Sequence, residues 1–359
     1  MAQRTIVPFG PQHPVLPEPI HLDLVLEDEN VVQAIPSIGF IHRGLEKLAE
    51  KKDFYEMTFV AERICGICSF IHSQGYCQGI EALMKIEVPL RAQYLRVIWG
   101  EMSRIHSHIL WLGLFADAFG FESLFMQSWR IRERLLDLVE EMTGGRVIFG
   151  SCKVGGTRKD VDKDTLIRVL SELAVMEKQY REIAATFGKD TSVKKRTVGI
   201  GVLPKDLAYL VGAVGPTLRG SGVASDMRKL GYAVYNELAW EPIVETAGDC
   251  YARMMVRVRE TYQSFDMIRQ AVAKMPDGPV EVKVTGNPTG EYMSRVEQPR
   301  GEVIYYLRAN GTRNLSRFRV RTPTFANVPP LVKMLEGCRF SDVPVIVLTI
   351  DPCISCTER

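Results

Sequence analysis

Two short stretches, Glu62-Arg-Ile-Cys-Gly-Ile-Cys68 and Asp351-Pro-Cys-Ile-Ser-Cys356, each carry a Cys-x-x-Cys pair, and they lie near opposite ends of a chain of 359 residues. Four thiolates in two such clips can hold a soft transition metal. A zinc ribbon usually places its second pair within roughly 15–20 residues of the first. Here the whole chain must close to bring the pairs together, so we expect one intimately folded unit around a central metal site.

The overall composition excludes several classes of protein. Hydrophobic residues make up 46% of the chain, which is enough for a large core, and 45 basic against 43 acidic residues leave a net charge of +2. Such a balance gives no electrostatic reason to expect a nucleic-acid partner. No apolar run reaches the length of a membrane-spanning helix, and the first residues do not resemble a signal peptide. We expect the eight cysteines to be reduced thiols of a cytosolic protein.

The periodicity of apolar residues predicts an α+β fold that is predominantly helical, with a central helix bundle and small β elements near both termini. Residues 1–85 read as an N-terminal α+β region with the first clip, 86–275 as the helical bundle, and 276–359 as a β region with the second clip. Four helices are predicted from apolar stripes at helical spacing. They are Tyr94–Leu112, Ile131–Met142 ended by Gly144, Leu166–Phe187 ended by Gly188, and about Asp249–Lys274.

Alternating apolar residues predict strands on both sides of this bundle. The alternation runs over Ile20–Leu26, with a turn and a second strand after it, over Val280–Val284, and over Val303–Leu307 ahead of the hairpin signal Asn310-Gly311. The apolar run Val343–Ile350 is interpreted as a buried strand that leads into the second clip.

Charged residues beside the cysteines favour a reactive centre over a purely structural one. Four thiolates in one pocket need cations, and Arg63 and Arg300 are the candidates. His72 stands four residues after Cys68, so on a helix it would lie on the same face and could donate a hydrogen bond to that sulfur. From the residues alone, a structural zinc site, a 4Fe–4S cluster and a redox dithiol all remain open.

At these residues the chain resembles the large subunit of a nickel–iron hydrogenase. It resembles more narrowly the energy-converting, membrane-associated (Ech-type) branch, which is related to the 49 kDa-type subunit of respiratory complex I. The similarity covers essentially the whole chain. Besides the two clips it is carried by Gly10-Pro-Gln-His-Pro14, Arg43-Gly-Leu-Glu46, Gly155-Gly-Thr-Arg158 and Pro299-Arg-Gly-Glu302.

The resemblance implies the hydrogenase large-subunit fold and a nickel–iron centre whose iron carries CO and cyanide. Cys65 and Cys353 would be terminal nickel ligands, and Cys68 and Cys356 would bridge nickel and iron. No iron–sulfur cluster is expected in this chain. Where many uptake hydrogenases have a histidine that helps to bind a third ion, this chain has Arg359. An arginine cannot ligate a cation, so we do not expect a magnesium site of that kind.

The resemblance also assigns roles beyond the four ligands. Arg300 would overhang the open face of the metals, with Pro299 and Asp351 shaping that pocket. Glu18 matches the proton-relay glutamate near the nickel, although the family's Glu-Gly-His reads Glu-Pro-Ile-His here. Glu46 matches a buried acidic residue close behind the ligands. Cys353 would take part in catalysis as well as in metal binding.

The implied activity is the reversible interconversion of H2 with two protons and two electrons. Electrons would leave through a small subunit that carries a 4Fe–4S cluster, with ferredoxin as the external redox partner. Further hydrophilic and integral membrane subunits would hold the chain at the cytoplasmic side of the cell membrane and couple the reaction to ion translocation. The alternative is a non-catalytic, complex I-like quinone-module or structural subunit whose four cysteines bind zinc.

Overall fold

The structure, a computed structural model, describes residues 4–359. The α-helices are α1 (Leu45–Leu48), α2 (Glu56–Glu62), α3 (Ser69–Met84), α4 (Leu90–Ala118), α5 (Glu122–Thr143), α6 (Lys163–Lys189), α7 (Thr191–Thr197), α8 (Lys205–Leu210), α9 (Gly215–Arg219), α10 (Cys250–Lys274), α11 (Pro323–Leu335), α12 (Val343–Thr349) and α13 (Ile354–Glu358). The strands are β1 (Arg4–Phe9), β2 (His21–Glu27), β3 (Asn30–Ser37), β4 (Cys152–Lys153), β5 (Gly156–Thr157), β6 (Thr289–Gln298), β7 (Gly301–Asn310) and β8 (Leu315–Arg321). Within these residues, no helix combines the length and the apolarity needed to cross a membrane.

The four long helices predicted from the sequence are confirmed as α4, α5, α6 and α10, and they pack against one another as the centre of the fold. Helix α5 ends at Gly144, whose φ of 85° suits a residue without a side chain. Asp249 caps α10 by accepting a hydrogen bond from the Ala252 amide at 2.7 Å. Gly188 does not end α6, which continues to Lys189 before Asp190 caps the next helix.

Two three-stranded antiparallel sheets accompany the bundle, in the orders β1-β2-β3 and β6-β7-β8, and β2 and β7 confirm the strands predicted over Ile20–Leu26 and Val303–Leu307. In β2 the alternating leucines Leu22, Leu24 and Leu26 are buried. Strands β6 and β7 form a hairpin in which Gln298 pairs with Gly301, so that Pro299 and Arg300 form its two-residue turn. This hairpin points Arg300 from the sheet toward the centre of the molecule.

The strand predicted over Val280–Val284 is wrong: this segment makes one isolated bridge, between Glu281 and Gly156. The strand predicted over Val343–Ile350 is also wrong, because the segment is helix α12, with Pro344 in its first turn. A fully buried apolar run of eight residues has no periodicity that distinguishes a helix from a strand. Proline near the start of the run suits a helix N-terminus, and that signal was the informative one.

Helix α3 lies directly on the β6–β7 hairpin, and two of its glycines make this close approach possible. A Cβ atom on Gly75 would lie 2.6 Å from Tyr305 Cε2 and 3.0 Å from Val296 Cγ2. A Cβ atom on Gly79 would lie 2.3 Å from Leu307 Cδ1. The absence of side chains at these positions therefore sets the distance between the helix that follows the first clip and the strand that carries Tyr305.

We expect Gly75→Ala to destabilise the protein even though alanine is the better helix former by about 1 kcal/mol. The new methyl group overlaps a buried ring, and overpacking of this kind costs about 1–3 kcal/mol. Gly188→Ala is the matched control, because it is also helical and a Cβ atom there lies 3.9 Å from its nearest neighbours. Thermal unfolding of both variants tests this. A Gly75→Ala protein as stable as Gly188→Ala would contradict the packing argument.

Candidate metal centre

The first cysteine clip occupies the short connection between α2 and α3. Cys68 precedes the first residue of α3, and the His72 amide donates to its carbonyl oxygen at 3.2 Å. The Ile67 amide donates to Cys65 Sγ at 3.3 Å. Cys65 and Cys68 thus enclose the turn that leads into α3, and both cysteines are buried.

The second clip runs from the connection after α12 into α13, so that Cys353 directly precedes this helix and Cys356 lies within it. Asp351 adopts a φ of 55°, which is rare for a residue with a side chain and which turns the chain sharply ahead of the clip. The Cys353 amide donates to Thr324 Oγ1 at 3.1 Å, and Thr322 Oγ1 donates to the Cys356 carbonyl at 3.0 Å. Two threonines at the start of α11 therefore hold the backbone of the clip from behind.

The two clips meet in the interior and bring four sulfurs together. Cys65 Sγ lies 3.3 Å from Cys353 Sγ, and Cys68 Sγ lies 3.6 Å from Cys356 Sγ. The sulfurs of Cys65, Cys68 and Cys356 all lie within 4.8 Å of one another, and none of the four cysteines is more than 1% exposed. These separations are too long for disulfides, which need about 2.05 Å. They approach the roughly 3.8 Å edge of a tetrahedron of thiolates around a metal with bonds of about 2.3 Å.

Arg300 and Asp351 form a buried pair beside the sulfurs. Arg300 Nε donates to the Asp351 carbonyl oxygen at 2.8 Å, and Nη2 donates to Oδ1 at 2.9 Å. Arg300 is 3% exposed and Asp351 is 6% exposed. Arg300 Nη1 and Asp351 Oδ2 have no hydrogen-bond partner among the described residues. A buried donor and a buried acceptor without partners are costly, so these atoms mark a place where a further group fits.

The charges of this pocket compensate one another. Burial would lower the pKa of Arg300, but the Asp351 carboxylate and the nearby Cys353, Cys65 and Cys68 thiolates raise it well above its ordinary value. Burial likewise opposes ionisation of Cys68, yet hydrogen bonds from neighbouring thiols lower its pKa to about 6. A permanently charged guanidinium beside buried sulfurs, of which the Cys68 thiol has a lowered pKa, is an environment that suits a soft metal centre bound by thiolates.

His72 contacts a different sulfur from the predicted one: its Nε2 lies 3.3 Å from Cys356 Sγ, not from Cys68. The first turn of α3 faces the second clip, and helical spacing within one segment could not reveal that neighbour. Burial lowers the pKa of His72 to about 3, so the ring is neutral. The Tyr305 hydroxyl contacts Nδ1, and burial raises the pKa of Tyr305 well above its ordinary value. A tyrosine that donates to Nδ1 leaves the proton on Nε2 for Cys356.

Glu18 reaches the second clip from the segment between β1 and β2. Its Oε2 accepts hydrogen bonds from the Ile354 amide and, at 3.0 Å, from the Ser355 amide. Burial and the neighbouring Cys353 thiolate raise the pKa of Glu18 to about 8. A carboxyl group that exchanges its proton near neutral pH therefore lies against the backbone next to Cys353.

The other two residues that the resemblance names lie in different surroundings. Pro299 is buried in the turn of the β6–β7 hairpin, next to Arg300. Glu46 is only partly buried, and it accepts hydrogen bonds from the Val320 amide and Arg359 Nε, both at 2.9 Å, and from Arg319. These contacts lower the pKa of Glu46 in spite of partial burial. Glu46 thus ties α1 to β8 and to the end of the second clip, away from the sulfurs.

Sequence reasoning missed the buried ion pairs that hold the Arg300 hairpin. Arg104 donates to the carbonyls of Gln298 at 3.2 Å and Glu297 at 2.9 Å, directly before the turn. The Glu297 carboxylate accepts from Arg219 Nη1 at 2.8 Å. Arg104, Arg219 and Glu297 are no more than 1% exposed. Their positions in the sequence carry no signal of this arrangement, because the three residues are far apart along the chain and the acceptors of Arg104 are backbone carbonyls.

A backbone contact fixes the tip of the same hairpin. Gly215, at the start of α9, has a φ of 63°, and a Cβ atom there would lie 2.3 Å from Gly301 Cα and 2.4 Å from the Arg300 carbonyl. Only glycine permits this approach. Arg300 is thus held by its own ion pair, by ion pairs beneath it and by main-chain packing beside it.

Comparison with known families agrees with this geometry. The chain matches the family model described as "Respiratory-chain NADH dehydrogenase, 49 Kd subunit" over residues 118–287 and 282–359. It matches the model described as "Nickel-dependent hydrogenase" over residues 43–115, the part that contains Cys65 and Cys68.

Individual relatives extend the similarity over nearly the whole chain. The carbon monoxide-induced hydrogenase of Rhodospirillum rubrum is 42% identical, covering 98% of this chain and 99% of its own. The membrane-bound hydrogenase subunit alpha of Pyrococcus furiosus is 36% identical, covering 98% of this chain and 87% of its own. One subunit of the F(420)H(2) dehydrogenase of Methanosarcina mazei is 37% identical, covering 99% of this chain and 97% of its own.

The four cysteines and the hydrogenase relatives point in the same direction. A subunit of the quinone-module type needs neither Cys-x-x-Cys pair, whereas this chain brings both pairs into contact. The nickel-dependent hydrogenase family implies a nickel–iron centre, and the four sulfurs with the unpartnered guanidinium atom fit such a group. The chain therefore belongs to the family that the large subunits of energy-converting nickel–iron hydrogenases share with the 49 kDa subunit of respiratory complex I.

Proposed function

We propose that this chain is the catalytic large subunit of a multi-subunit nickel–iron hydrogenase that interconverts H2 with protons and electrons. The observation that carries the proposal is the meeting of four buried cysteine sulfurs beside a buried arginine, one of whose donor atoms has no partner within residues 4–359. The names of the relatives support it, since two of them are hydrogenases.

The four cysteines would hold the metals, with Cys65 and Cys353 as terminal nickel ligands and Cys68 and Cys356 as bridges to an iron that carries CO and cyanide. When bound, this centre supplies the two-electron chemistry of H2. The protein contributes ligand orientation and the tuning of the sulfurs. His72 contributes to that tuning, because its Nε2 lies 3.3 Å from Cys356 Sγ and a hydrogen bond there withdraws electron density from a bridging sulfur.

Proton movement is assigned to a sulfur and a carboxylate. Heterolytic cleavage of H2 releases a proton that needs a nearby base. Cys353 Sγ holds that proton first, and Glu18, which is bound to the backbone directly after Cys353, receives it next. Its pKa of about 8 lets Glu18 both accept and release a proton near neutral pH.

Arg300 is assigned to the polarisation of H2. A fixed cation in a water-poor site acts without reorganising at the moment of reaction. Asp351, Arg104 and Gly215 hold this guanidinium or its hairpin from three directions, which leaves Nη1 available toward the pocket. Asp351 and Pro299 thereby shape the pocket without taking part in bond breaking.

Electrons would leave through a partner subunit with a 4Fe–4S cluster, and ferredoxin would be the external redox partner. The exposed surface around Arg43, which bonds both clips, is the candidate docking site for this partner. Arg43 is exposed and donates to a carbonyl in each clip, those of Ile64 and Ser355. Phe40, 56% exposed, is three residues before Arg43, and Phe59, 43% exposed, lies in α2 just before the first clip. A partner seated on Arg43 would contact a side chain that bonds the backbone of both clips.

The chain would be attached peripherally to the cytoplasmic side of the membrane through further hydrophilic and integral membrane subunits, which would carry out ion translocation. The support for this is the name of the Pyrococcus furiosus relative, a membrane-bound hydrogenase subunit. Among residues 4–359 no helix could itself span a membrane.

Replacement of a bridging cysteine should remove both metals. We expect Cys68→Ser or Cys356→Ser to abolish H2 turnover and to lower iron together with nickel, because a hydroxyl group is a poor ligand for soft metals. Cys338→Ser, a half-buried cysteine outside the site, is the control and should keep both metals. Metal analysis and H2 uptake measure the outcome. Normal turnover in either bridging variant would refute the bridging assignment.

Arg300→Lys should keep the metals and lower turnover by orders of magnitude. The ammonium group is a compact point charge that cannot donate to Asp351 in two places and also present a third donor to the pocket. Arg295→Lys, in strand β6 of the same hairpin, is the control, since that side chain is 41% exposed and pairs with Glu302. The comparison needs kcat per loaded nickel. A fully active, metal-loaded Arg300→Lys protein would remove Arg300 from the reaction.

Glu18→Gln should keep the cofactor and slow proton exchange. The amide can still accept from the Ile354 and Ser355 backbone, but it cannot carry a proton at neutral pH. Glu46→Gln is the matched carboxylate control, because Glu46 bonds arginines outside the pocket. Exchange between D2 and H2O isolates the proton step. If Glu18→Gln exchanged as fast as the unsubstituted protein, the relay would have to run elsewhere.

A further inference from the structure

We propose that Arg43 is a positioning residue that couples the two cysteine clips and sets their separation. Its Nη1 donates to the Arg63 carbonyl at 2.7 Å, and Nη2 donates to the Ile64 carbonyl at 2.9 Å. The same Nη2 donates to the Ser355 carbonyl at 2.7 Å. One guanidinium therefore bonds the backbone of both clips, although they are separated by most of the chain.

Two of the carbonyls that Arg43 bonds directly precede cysteine ligands in the chain. The Ile64 carbonyl belongs to the peptide unit that ends at the Cα atom of Cys65, and the Ser355 carbonyl belongs to the unit that ends at Cys356. A peptide unit is planar, so fixing its oxygen also fixes the following Cα atom. Arg43 thus places one cysteine of each pair, and the sulfurs of those two cysteines lie in the cluster within 4.8 Å.

The segment that carries Arg43 is itself attached to the second clip. Glu358 accepts hydrogen bonds from the Gly39 amide at 2.6 Å and from the Ile41 amide. His42 Nδ1 contacts the Glu358 carbonyl. The backbone on which Arg43 stands is therefore docked on the segment that its side chain bonds. Because residues 39–43 bond the segments of both clips, they set the distance between the two clips.

Arg43 differs in kind from the other arginine beside the first clip. Arg63 donates from Nη1 to the Phe59 carbonyl at 2.9 Å within its own helix, and its side chain is 56% exposed. In the part of the chain that the structure describes, none of its side-chain hydrogen bonds reaches the second clip. The two arginines share the neighbourhood and the charge, but Arg43 alone of the two connects the clips, so Arg63 is a natural control.

A lysine at position 43 cannot reproduce this role. The planar fork of arginine serves three carbonyls at once, whereas an ammonium group at the end of a flexible stem has no fixed geometry. A glutamine is shorter and loses the charge. Arg43→Lys therefore tests the geometry of the guanidinium at constant charge, and Arg43→Gln tests the loss of both geometry and charge. Arg63→Gln removes a nearby charge without changing the contacts between the clips.

The test uses the full complex and measures metal retention, the nickel electron paramagnetic resonance spectrum and thermal unfolding. We expect Arg43→Gln to release its metal to a chelator ~10–100-fold more readily, the range typical of residues that orient metal ligands. Arg43→Lys should retain more metal with a shifted nickel spectrum, because the ligand positions change. Arg63→Gln should match the unsubstituted protein in metal retention and in the nickel spectrum.

Equal metal retention and identical spectra in Arg43→Lys, Arg43→Gln and Arg63→Gln would overturn the proposal, even if an Arg43 variant unfolds at a lower temperature. If Arg43→Gln fails to fold, Arg43→Lys decides, and an unshifted spectrum with full retention refutes the role. The inference rests on the proposed function for its meaning in catalysis. Should the unsubstituted complex contain zinc, the hydrogenase proposal fails, while zinc release from the same variants still tests the coupling of the clips.

Discussion

The burial of four cysteine sulfurs in contact with one another is the constraint on which the rest of this structure depends. Ionised groups in a protein interior are costly unless they are paired or bound to a metal. Cys65, Cys68, Cys353 and Cys356 come from distant parts of the chain, so no local segment can form the site. The fold must close around them, and Arg300 supplies the permanent positive charge that their ionisation requires.

Hydrogen bonds, close packing and buried charges in the surrounding elements hold this pocket in place. Two threonines hold the second clip through its backbone, and α3 lies close to the hairpin because Gly75 has no side chain. Beneath the turn, Arg104 and Arg219 anchor the end of β6 that leads to Arg300. Loss of Arg219 would leave the buried Glu297 carboxylate without this ion-pair partner, which is costly, so the pair stabilises one conformation of the hairpin.

The sequence predicted most of what depends on local patterns and on the resemblance. The stripe Tyr94–Leu112 identified α4, and the alternation around Val303 identified β7. The predictions failed where the outcome depends on tertiary neighbours. The helix at Val343–Thr349 was predicted as a strand, because a buried apolar run has no period that distinguishes the two. The contact between His72 and Cys356 was missed, because only the fold shows that the second clip faces α3. The role inferred for Arg43 was also inaccessible, since its acceptors are backbone carbonyls that any residue provides.

The central claim is that the four cysteines hold nickel and iron. It is tested most directly by the nickel, iron and zinc content of the native complex, purified without oxygen. The account predicts nickel equimolar with the chain, together with more iron than the clusters of the partner subunits contain. Stoichiometric zinc without nickel would contradict it and would make the chain a structural relative of the hydrogenases in a complex I-like assembly.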